Sequence, residues 1–187
     1  MKNKKTTTIL LAGILAAGLS VHAQGLYTRN ATEYEVKAAF LYNFAKFVTW
    51  PSVRNDVSDS SFVIGILGKD PFGNVIEQVM GNKTVLGKQI QIIRYQTINQ
   101  LQYCHILFIS DSEKGHIRSV LKSVSGQPIL TVSDMDDFVE TGGMIRLYVD
   151  NNKIRFEINV HVSEQAHLKL SSKMLHLATN LKNYDQR

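Results

Sequence analysis

The sequence FVIGILGKDP at positions 62–71 decides the fold class, because it combines a buried strand, a turn and the start of a helix. Its first six residues form a continuous apolar run rich in β-formers, which is typical of a strand covered on both faces. Gly68 and Pro71 then turn the chain. Asp70 is placed to cap a helix that has Pro71 at its first position and extends to about Met80. The stretch therefore predicts one β–α unit.

Strands and helices continue to alternate after this unit. Further strands are predicted at about residues 89–95, 104–109 and 128–132, and a helix at 112–124. Residues 144–149 and 153–158 flank Asp150-Asn151-Asn152, whose residue types suit a tight hairpin turn. We therefore predict an α/β fold: a single-domain, mixed but largely parallel β-sheet flanked by α-helices, with a C-terminal β-hairpin and helices.

The longest predicted helix precedes the decisive stretch. Thr32 and Glu35 have the spacing of a capping box, which satisfies free amides of a first helical turn. Trp50-Pro51 ends the helix, because the residue before a proline avoids helical backbone angles. Apolar residues recur at helical spacing and predict the buried face. These residues are Val36, Phe40, Phe44 and Phe47.

Two shorter helices are predicted at the C-terminus. The first covers about residues 160–167. The second is capped by Ser171 or Ser172, and its apolar residues share one face. They are Met174, Leu177, Ala178 and Leu181.

Residues 1–23 have the features of a secretory signal peptide. Three lysines among the first five residues precede the uncharged run 9–19, and Val21-His22-Ala23 offers small residues at the two positions that a signal peptidase recognises. The run is shorter than the about 20 apolar residues that span a bilayer, although an uncleaved anchor is the alternative. We predict a signal peptide at 1–23, a domain at 24–187 and a periplasmic location.

Composition narrows the classes of protein. The 187 residues are 44% hydrophobic and 20% charged, which is typical of a globular domain and excludes disorder as the main state. Loss of the signal peptide would remove three lysines and no acid from a formal net charge of +5. The remaining lysines and arginines are scattered among acidic residues in the sequence. We therefore expect no nucleic-acid partner.

No residue pattern predicts a catalytic or metal site. Zinc sites on helices use histidines four residues apart, whereas the three C-terminal histidines are separated by six and nine. The acidic residues of 134–140 lack the central glycine of a calcium loop. We predict no catalytic residues, no metal, no cofactor and no enzymatic activity; a hydrolase is the weakest alternative.

Cys104 is the one cysteine of the chain, so it has no partner for an intramolecular disulfide. Its neighbour His105 points to the opposite face of the predicted strand, because side chains alternate along a strand. The side chains of Cys104 and His105 therefore cannot act as a nucleophile and its base. We predict that Cys104 is a buried, unreactive small apolar residue.

Six strings along the predicted mature chain resemble the YfiR family of exported bacterial proteins. They are YEVKAAFLYNFAKFV (34–48) with Trp50-Pro51, GILGKDPF (65–72), CHILFIS (104–110), GGMI (142–145), RFEIN (155–159) and LKLSSKML (168–175). The resemblance implies a mixed α/β domain that binds the periplasmic part of a membrane-anchored diguanylate cyclase (YfiN-like) or another membrane sensor. Binding would keep the cyclase inactive, and so lower cyclic di-GMP and biofilm formation. The resemblance also implies that a homodimer can form.

Two hypotheses for the functional surface follow. Tyr34, Leu41 and Trp50 lie off the predicted buried face of the first helix, so we expect them to form an apolar partner-binding patch. The alternative is a periplasmic small-molecule-binding module that acts with another sensor protein, at the carboxyl ends of the parallel strands. Three dipeptides would converge there: Gly68-Lys69, Ser110-Asp111 and Ser133-Asp134.

Overall fold

The computed structural model describes residues 32–51 and 60–182, which belong to a compact unit spanning residues 31–187. The predicted signal peptide lies outside the described residues. The helices are α1 (Glu33–Phe47), α2 (Val75–Met80), α3 (Ile117–Val124), α4 (Val160–Gln165) and α5 (Ser172–Leu177). Short 3-10 helices cover Ile98–Gln100 and Asp111–His116. The strands are β1 (Val48–Thr49), β2 (Ser61–Leu67), β3 (Thr84–Val85), β4 (Lys88–Tyr95), β5 (Ile106–Ile109), β6 (Leu130–Ser133), β7 (Ile145–Asp150), β8 (Lys153–Asn159), β9 (Lys169–Leu170) and β10 (Asn180–Lys182).

Eight of these strands form one sheet in the order β10-β8-β7-β6-β5-β2-β4-β3. The five strands from β7 to β4 are parallel, whereas β8 is antiparallel to β7 and β3 is antiparallel to β4. β10 pairs in parallel with β8 at the other edge. β1 and β9 form a separate antiparallel pair. The predicted fold class, a largely parallel mixed sheet with a late hairpin, is confirmed.

Helices cover both faces of the sheet. Alternate residues of β2 point to opposite sides, as the strand geometry requires. Phe62 and Ile64 pack in the core under α1 and α2, whereas Val63 packs in a second core with Leu107 and Leu121 of α3. The first face is named the α1 face below, and the second the α3 face.

The N-terminus of α1 is capped as predicted. The Thr32 hydroxyl accepts the Glu35 amide at 3.3 Å, and the Glu35 carboxylate accepts the Thr32 amide at 2.5 Å. The buried face of α1 differs from the prediction, since only Phe44 is common to both sets. Phe40 and Phe47 are half-buried and pack against the core. The residues that are buried are Lys37, Ala38, Leu41, Phe44 and Ala45.

Several predicted helix boundaries are wrong. α1 ends at Phe47 and not at Trp50, because the next two residues pair with β9 as β1. The helix predicted from residue 112 is a 3-10 helix up to His116 and becomes α-helical only in α3.

α2 begins at Val75 and not at Pro71, because the Asp70 carboxylate accepts the Phe72 amide at 2.7 Å and holds the chain in a turn before the helix. α5 ends at Leu177. Leu181 lies in the edge strand β10, where the chain pairs with β8 and exposes the leucine.

Candidate functional site

The structure places Tyr34, Leu41 and Trp50 in three different environments. Leu41 is fully buried, with 0% of its side chain exposed, so the expectation that it belongs to an exposed patch is wrong. Leu41 faces the sheet, because the buried face of α1 differs from the predicted face that contains Phe40 and Phe47. Tyr34 and Trp50 are half-buried at opposite ends of the α1 segment. Their role in partner binding stays a prediction.

The Tyr34 end of α1 is held by a buried charge. Lys37 is only 3% exposed, and its ammonium group contacts Asp134 at 2.6 Å and Glu33 at 2.5 Å. The Tyr34 hydroxyl donates to the same Asp134 carboxylate at 3.1 Å. A buried charge needs such partners, because an unpaired one carries a large desolvation cost. The network therefore fixes the first turns of α1 to the end of β6.

The protonation of Lys37 follows from these contacts. Desolvation by burial lowers the pKa of Lys37, but the hydrogen bonds to Asp134 and Glu33 outweigh it, so that the pKa is raised above its ordinary value. Burial, followed by the Asp134 charge, raises the pKa of Tyr34. Lys37 therefore stays positively charged and Tyr34 stays a hydrogen-bond donor at neutral pH.

A cleft of about 410 Å³ opens beside this network. Tyr34 and Lys37 line it from α1, Asp111 and Asp134 follow the ends of β5 and β6, and residues 146–149 line it from β7. Arg146 makes ion pairs with Asp136 and with Glu157, the latter at 3.2 Å. The cleft thus combines paired charges with two tyrosine rings, those of Tyr34 and Tyr148.

Hydrogen bonds at the end of β6 position Asp134 in the cleft. The Ser133 hydroxyl donates to the Ile109 carbonyl at 2.6 Å and accepts the Met135 amide at 3.1 Å. These bonds tie the β6 end to β5 on one side and to the following turn on the other. Asp134 therefore leaves the sheet edge toward α1, where Lys37 meets it.

Two of the three dipeptides expected to converge reach this cleft. Asp111 and Asp134 line it, as the alternative hypothesis requires. Gly68-Lys69 does not, because the Lys69 amide donates to the Ser112 hydroxyl at 2.9 Å and Ser112 packs directly on Gly68. The crevice between β2 and β5 is therefore filled, and the open cleft lies farther along the sheet, beside β6 and β7.

The Trp50 end of the α1 segment is aromatic. The Trp50 indole N–H donates to the His105 carbonyl at 3.2 Å, and its ring packs edge-on against Phe62 at 5.2 Å between centroids. His105 stacks on Phe62 at 4.3 Å, and its Nδ1 accepts the Val63 amide at 3.0 Å. Trp50 thus closes the core where β5 begins and leaves part of its ring exposed.

Cys104 lies in the core of the α3 face, as predicted. It is fully buried, and this burial raises the pKa of its thiol to about 12. The thiolate that would act as a nucleophile is therefore absent at neutral pH.

The described residues hold no group of three or more His, Cys, Asp or Glu side chains placed to bind a metal ion. Within residues 32–51 and 60–182, no helix has the length and apolar character needed to cross a bilayer.

Comparison with known proteins identifies the family. The YfiR/HmsC-like family matches residues 34–179, so the chain belongs to this family. The family consists of regulatory proteins linked to cyclic di-GMP signalling. No curated protein sequence matches significantly.

Solved structures with low sequence identity share the fold alone. A conserved domain protein from Vibrio cholerae has a TM-score of 0.55 at 10% identity, covering 82% of this chain and 61% of that one. The ABC domain in complex with L-Trp from Streptococcus pneumonia has a TM-score of 0.50 at 11% identity, covering 67% of this chain and 56% of that one. The chain therefore matches less than two thirds of the length of either protein.

Sequence reasoning missed Arg146 and Tyr148 of the cleft and, above all, the buried Lys37. Lys37 lies in a helix where a lysine usually faces solvent, and its carboxylate partner is 97 residues away. The available signal was local: Glu33 precedes Lys37 by four residues, the spacing of a helical ion pair. That spacing predicts an ion pair between Glu33 and Lys37, but it does not predict that Lys37 is buried.

Proposed function

We propose that this protein is a periplasmic regulator that binds the periplasmic part of a membrane-anchored, YfiN-like diguanylate cyclase and keeps the cyclase inactive. The observation that carries the proposal is the family match across residues 34–179, which includes α1, the cleft and Trp50. A bound regulator shifts a sensor toward its off state only when it prefers that state. Release of the regulator would then raise cyclic di-GMP. A homodimer stays a prediction.

We place the partner contact on the exposed parts of Tyr34 and Trp50. Aromatic anchors at interfaces bury their rings in the complex and contribute much of its affinity. Both side chains are half-buried in the described structure, so each has area left to lose on binding. Their existing hydrogen bonds, to Asp134 and to the His105 carbonyl, hold them in one orientation. Preorganised side chains lose less entropy on binding.

The test is capture of the cyclase from solubilised membranes, with intracellular cyclic di-GMP measured in a deletion strain complemented by each variant. Tyr34→Ala and Trp50→Ala should weaken capture about thirtyfold and raise cyclic di-GMP. Leu177→Ala is the control, because Leu177 is 61% exposed on α5 and lies outside the α1 segment that carries both anchors. Unchanged capture by both anchor variants would place the interface elsewhere. Absence of any captured cyclase would contradict the proposed function itself.

The periplasmic location has its own test. Cleavage after Ala23 would give a mature protein that begins at Gln24. Mass spectrometry of the periplasmic fraction should find this N-terminus. An intact Met1 in a soluble cytoplasmic fraction would contradict the location and the proposed access to a periplasmic sensor.

The cleft favours a second candidate function, a small-molecule-binding module that acts with another sensor. Its volume of about 410 Å³ suits a small ligand, and its polar groups come from three different elements. A thermal-shift screen of small metabolites tests this candidate, with Asp111→Asn as the cleft variant and Glu164→Gln on α4 as the control. A ligand that stabilises the parent and the control but not the cleft variant would support it. Equal shifts for both variants would count against the cleft.

A further inference from the structure

The 3-10 helix Asp111–His116 and α3, which follows it directly, carry exposed positive charge that the sequence analysis did not expect. Lys114, Arg118 and Lys122 follow one another at four-residue spacing, and all three are exposed. None of them forms an ion pair with another residue of 32–51 or 60–182. These three residues are called the basic stripe below.

Few acidic residues that could neutralise the basic stripe lie near it in the sequence. Asp111 and Glu113 precede it in the 3-10 helix, and residues 114–133 contain no Asp or Glu. The backbone amide of Lys69, another exposed lysine, donates to Ser112 at 2.9 Å and brings a further positive residue close to this segment.

Helix stability does not explain the basic stripe. Like charges four residues apart destabilise a helix, and a helix C-terminus favours a cation only within its last turn. Lys122 lies in the last turn of α3 and Lys114 in the last turn of the preceding 3-10 helix, so this effect leaves Arg118 unexplained. The opposite side of α3 is fixed, because Val120, Leu121 and Val124 are buried in the core of the α3 face. Arg118 and Lys122 are therefore held on the outer side of α3, and the exposed Lys114 lies in the 3-10 helix that directly precedes it.

We propose that the basic stripe docks the protein on anionic phospholipid headgroups of the bilayer that holds its partner. The proposal deepens the proposed function, on which it rests for the membrane-anchored partner. Each Lys or Arg near an anionic membrane surface raises partitioning about fivefold. Three such residues therefore give weak, reversible binding of about a hundredfold over a neutral surface.

The fold makes this contact compatible with partner binding. The sheet separates α3 from the core under α1, so a protein that contacts lipid through the basic stripe leaves Trp50, which packs on that core, on the other side of the sheet. Contact with the bilayer also raises the local concentration of the regulator around its partner, which strengthens a modest protein–protein affinity.

The test is cosedimentation of the purified protein with vesicles of phosphatidylethanolamine and phosphatidylglycerol, and with neutral phosphatidylcholine vesicles. The stripe variant is K114Q/R118Q/K122Q. The control variant, K46Q/K153Q/K169Q, loses the same charge from exposed lysines on α1, β8 and β9. All proteins carry the same N-terminus, checked by mass spectrometry, so that an uncleaved apolar segment affects each of them equally.

We expect binding to the phosphatidylglycerol vesicles that weakens as salt screens the charges. The stripe variant should lose about a hundredfold in partition coefficient, whereas the control should stay close to the parent. No binding by the parent, or equal losses in both variants, would overturn the proposal. If the stripe variant melts early, R118Q alone replaces it, with an expected loss of about fivefold and K153Q as its control.

The same variants separate this proposal from the proposed function. If the protein captures the cyclase in detergent but does not bind vesicles, the proposed regulatory function is supported and the lipid contact is wrong. If the protein binds vesicles but does not capture the cyclase, the lipid contact is supported and the proposed regulatory function is wrong. If the stripe variant loses cyclase capture in detergent but keeps vesicle binding, the stripe contacts an acidic protein surface and the lipid proposal is wrong.

Discussion

The two faces of the sheet are built from different side chains. The α1 face buries five phenylalanines, among them Phe44, Phe62 and Phe108, and it also encloses the Lys37–Asp134 ion pair. The α3 face is mainly aliphatic, with Phe138 and the thiol of Cys104 among its buried side chains. Outside these cores, the α1 segment exposes parts of Tyr34 and Trp50, whereas α3 and the 3-10 helix before it expose the basic stripe.

The two faces therefore stabilise the fold through different kinds of contact. Aliphatic packing on the α3 face holds α3 in place without polar contacts that constrain its orientation. The α1 face combines aromatic packing with a buried charge, which is destabilising when its partner is removed. We therefore expect substitutions on the α1 face to have the largest effects, and we order four predictions by that expectation.

The largest effect should come from Lys37→Met. This substitution leaves the Asp134 carboxylate without its cation, and breaking a buried pair typically costs about 3–5 kcal/mol. Urea unfolding should show this loss. The double variant Lys37→Met/Asp134→Asn should recover part of it, because no unpaired charge remains. A double variant as unstable as the single one would show that packing, and not the charge, is responsible.

Leu41→Ala should be next. Truncation of a fully buried leucine leaves a cavity and costs about 2–5 kcal/mol. The matched control is Leu86→Ala, because Leu86 is 72% exposed and its truncation should change stability by less than about 0.5 kcal/mol. Equal melting temperatures for the two variants would contradict the buried position of Leu41.

On the α3 face, Cys104→Ser should cost about 1–2 kcal/mol and leave regulation intact, since it adds a poorly paired hydroxyl to a core. The pH dependence gives a second measurement. The pKa of Cys104 rises on folding from about 9 to about 12, so folding retains this proton. Its stabilising contribution is complete below pH 9 and declines as pH rises toward 12. The stability advantage of the parent over Cys104→Ser should therefore shrink above pH 9.

Labelling checks the same thiol directly. A water-soluble thiol reagent should modify Cys104 at neutral pH only when urea unfolds the protein, because the folded thiol is buried and protonated. Rapid labelling of the folded protein, or loss of regulation in a folded Cys104→Ser variant, would show that this thiol takes part in control.

The smallest effects should come from Trp50→Phe and Tyr34→Phe. Each variant keeps a ring and removes one hydrogen bond, to the His105 carbonyl or to the Asp134 carboxylate. One such bond contributes about 1 kcal/mol. Calorimetry should show similar small decreases at both ends of the α1 segment. A much larger decrease for Tyr34→Phe would mean that the tyrosine hydroxyl is essential to the Lys37 network.

Much of the fold was predictable because its signals are local. The apolar run of β2, the turn residues at 150–152 and the capping box of Thr32 and Glu35 each act within a few residues. The two-residue strands β1 and β9 and the edge strand β10 carry no such signal. They form because long-range pairing brings them beside another strand.

The candidate site was predictable only in part. The carboxyl ends of β5 and β6 could be placed together, since parallel strands end at one edge of a sheet. The filling of the β2–β5 crevice by Ser112 could not, because it depends on a hydrogen bond between loops 43 residues apart. The basic stripe did have a local signal, since its three cations recur at four-residue spacing within the predicted helix 112–124, but the side that α3 exposes depends on its packing against the sheet.

The sequence by itself determined the α/β class, the family and the capped N-terminus of α1, because hydrophobic runs, caps and turns depend on neighbouring residues. Tertiary structure alone decided which side of α1 is buried. Apolar side chains lie on most of the circumference of this helix, so its own periodicity does not select one face. Contacts with the sheet and with Asp134 selected the face that buries Lys37 and Leu41, and left parts of Tyr34 and Trp50 exposed.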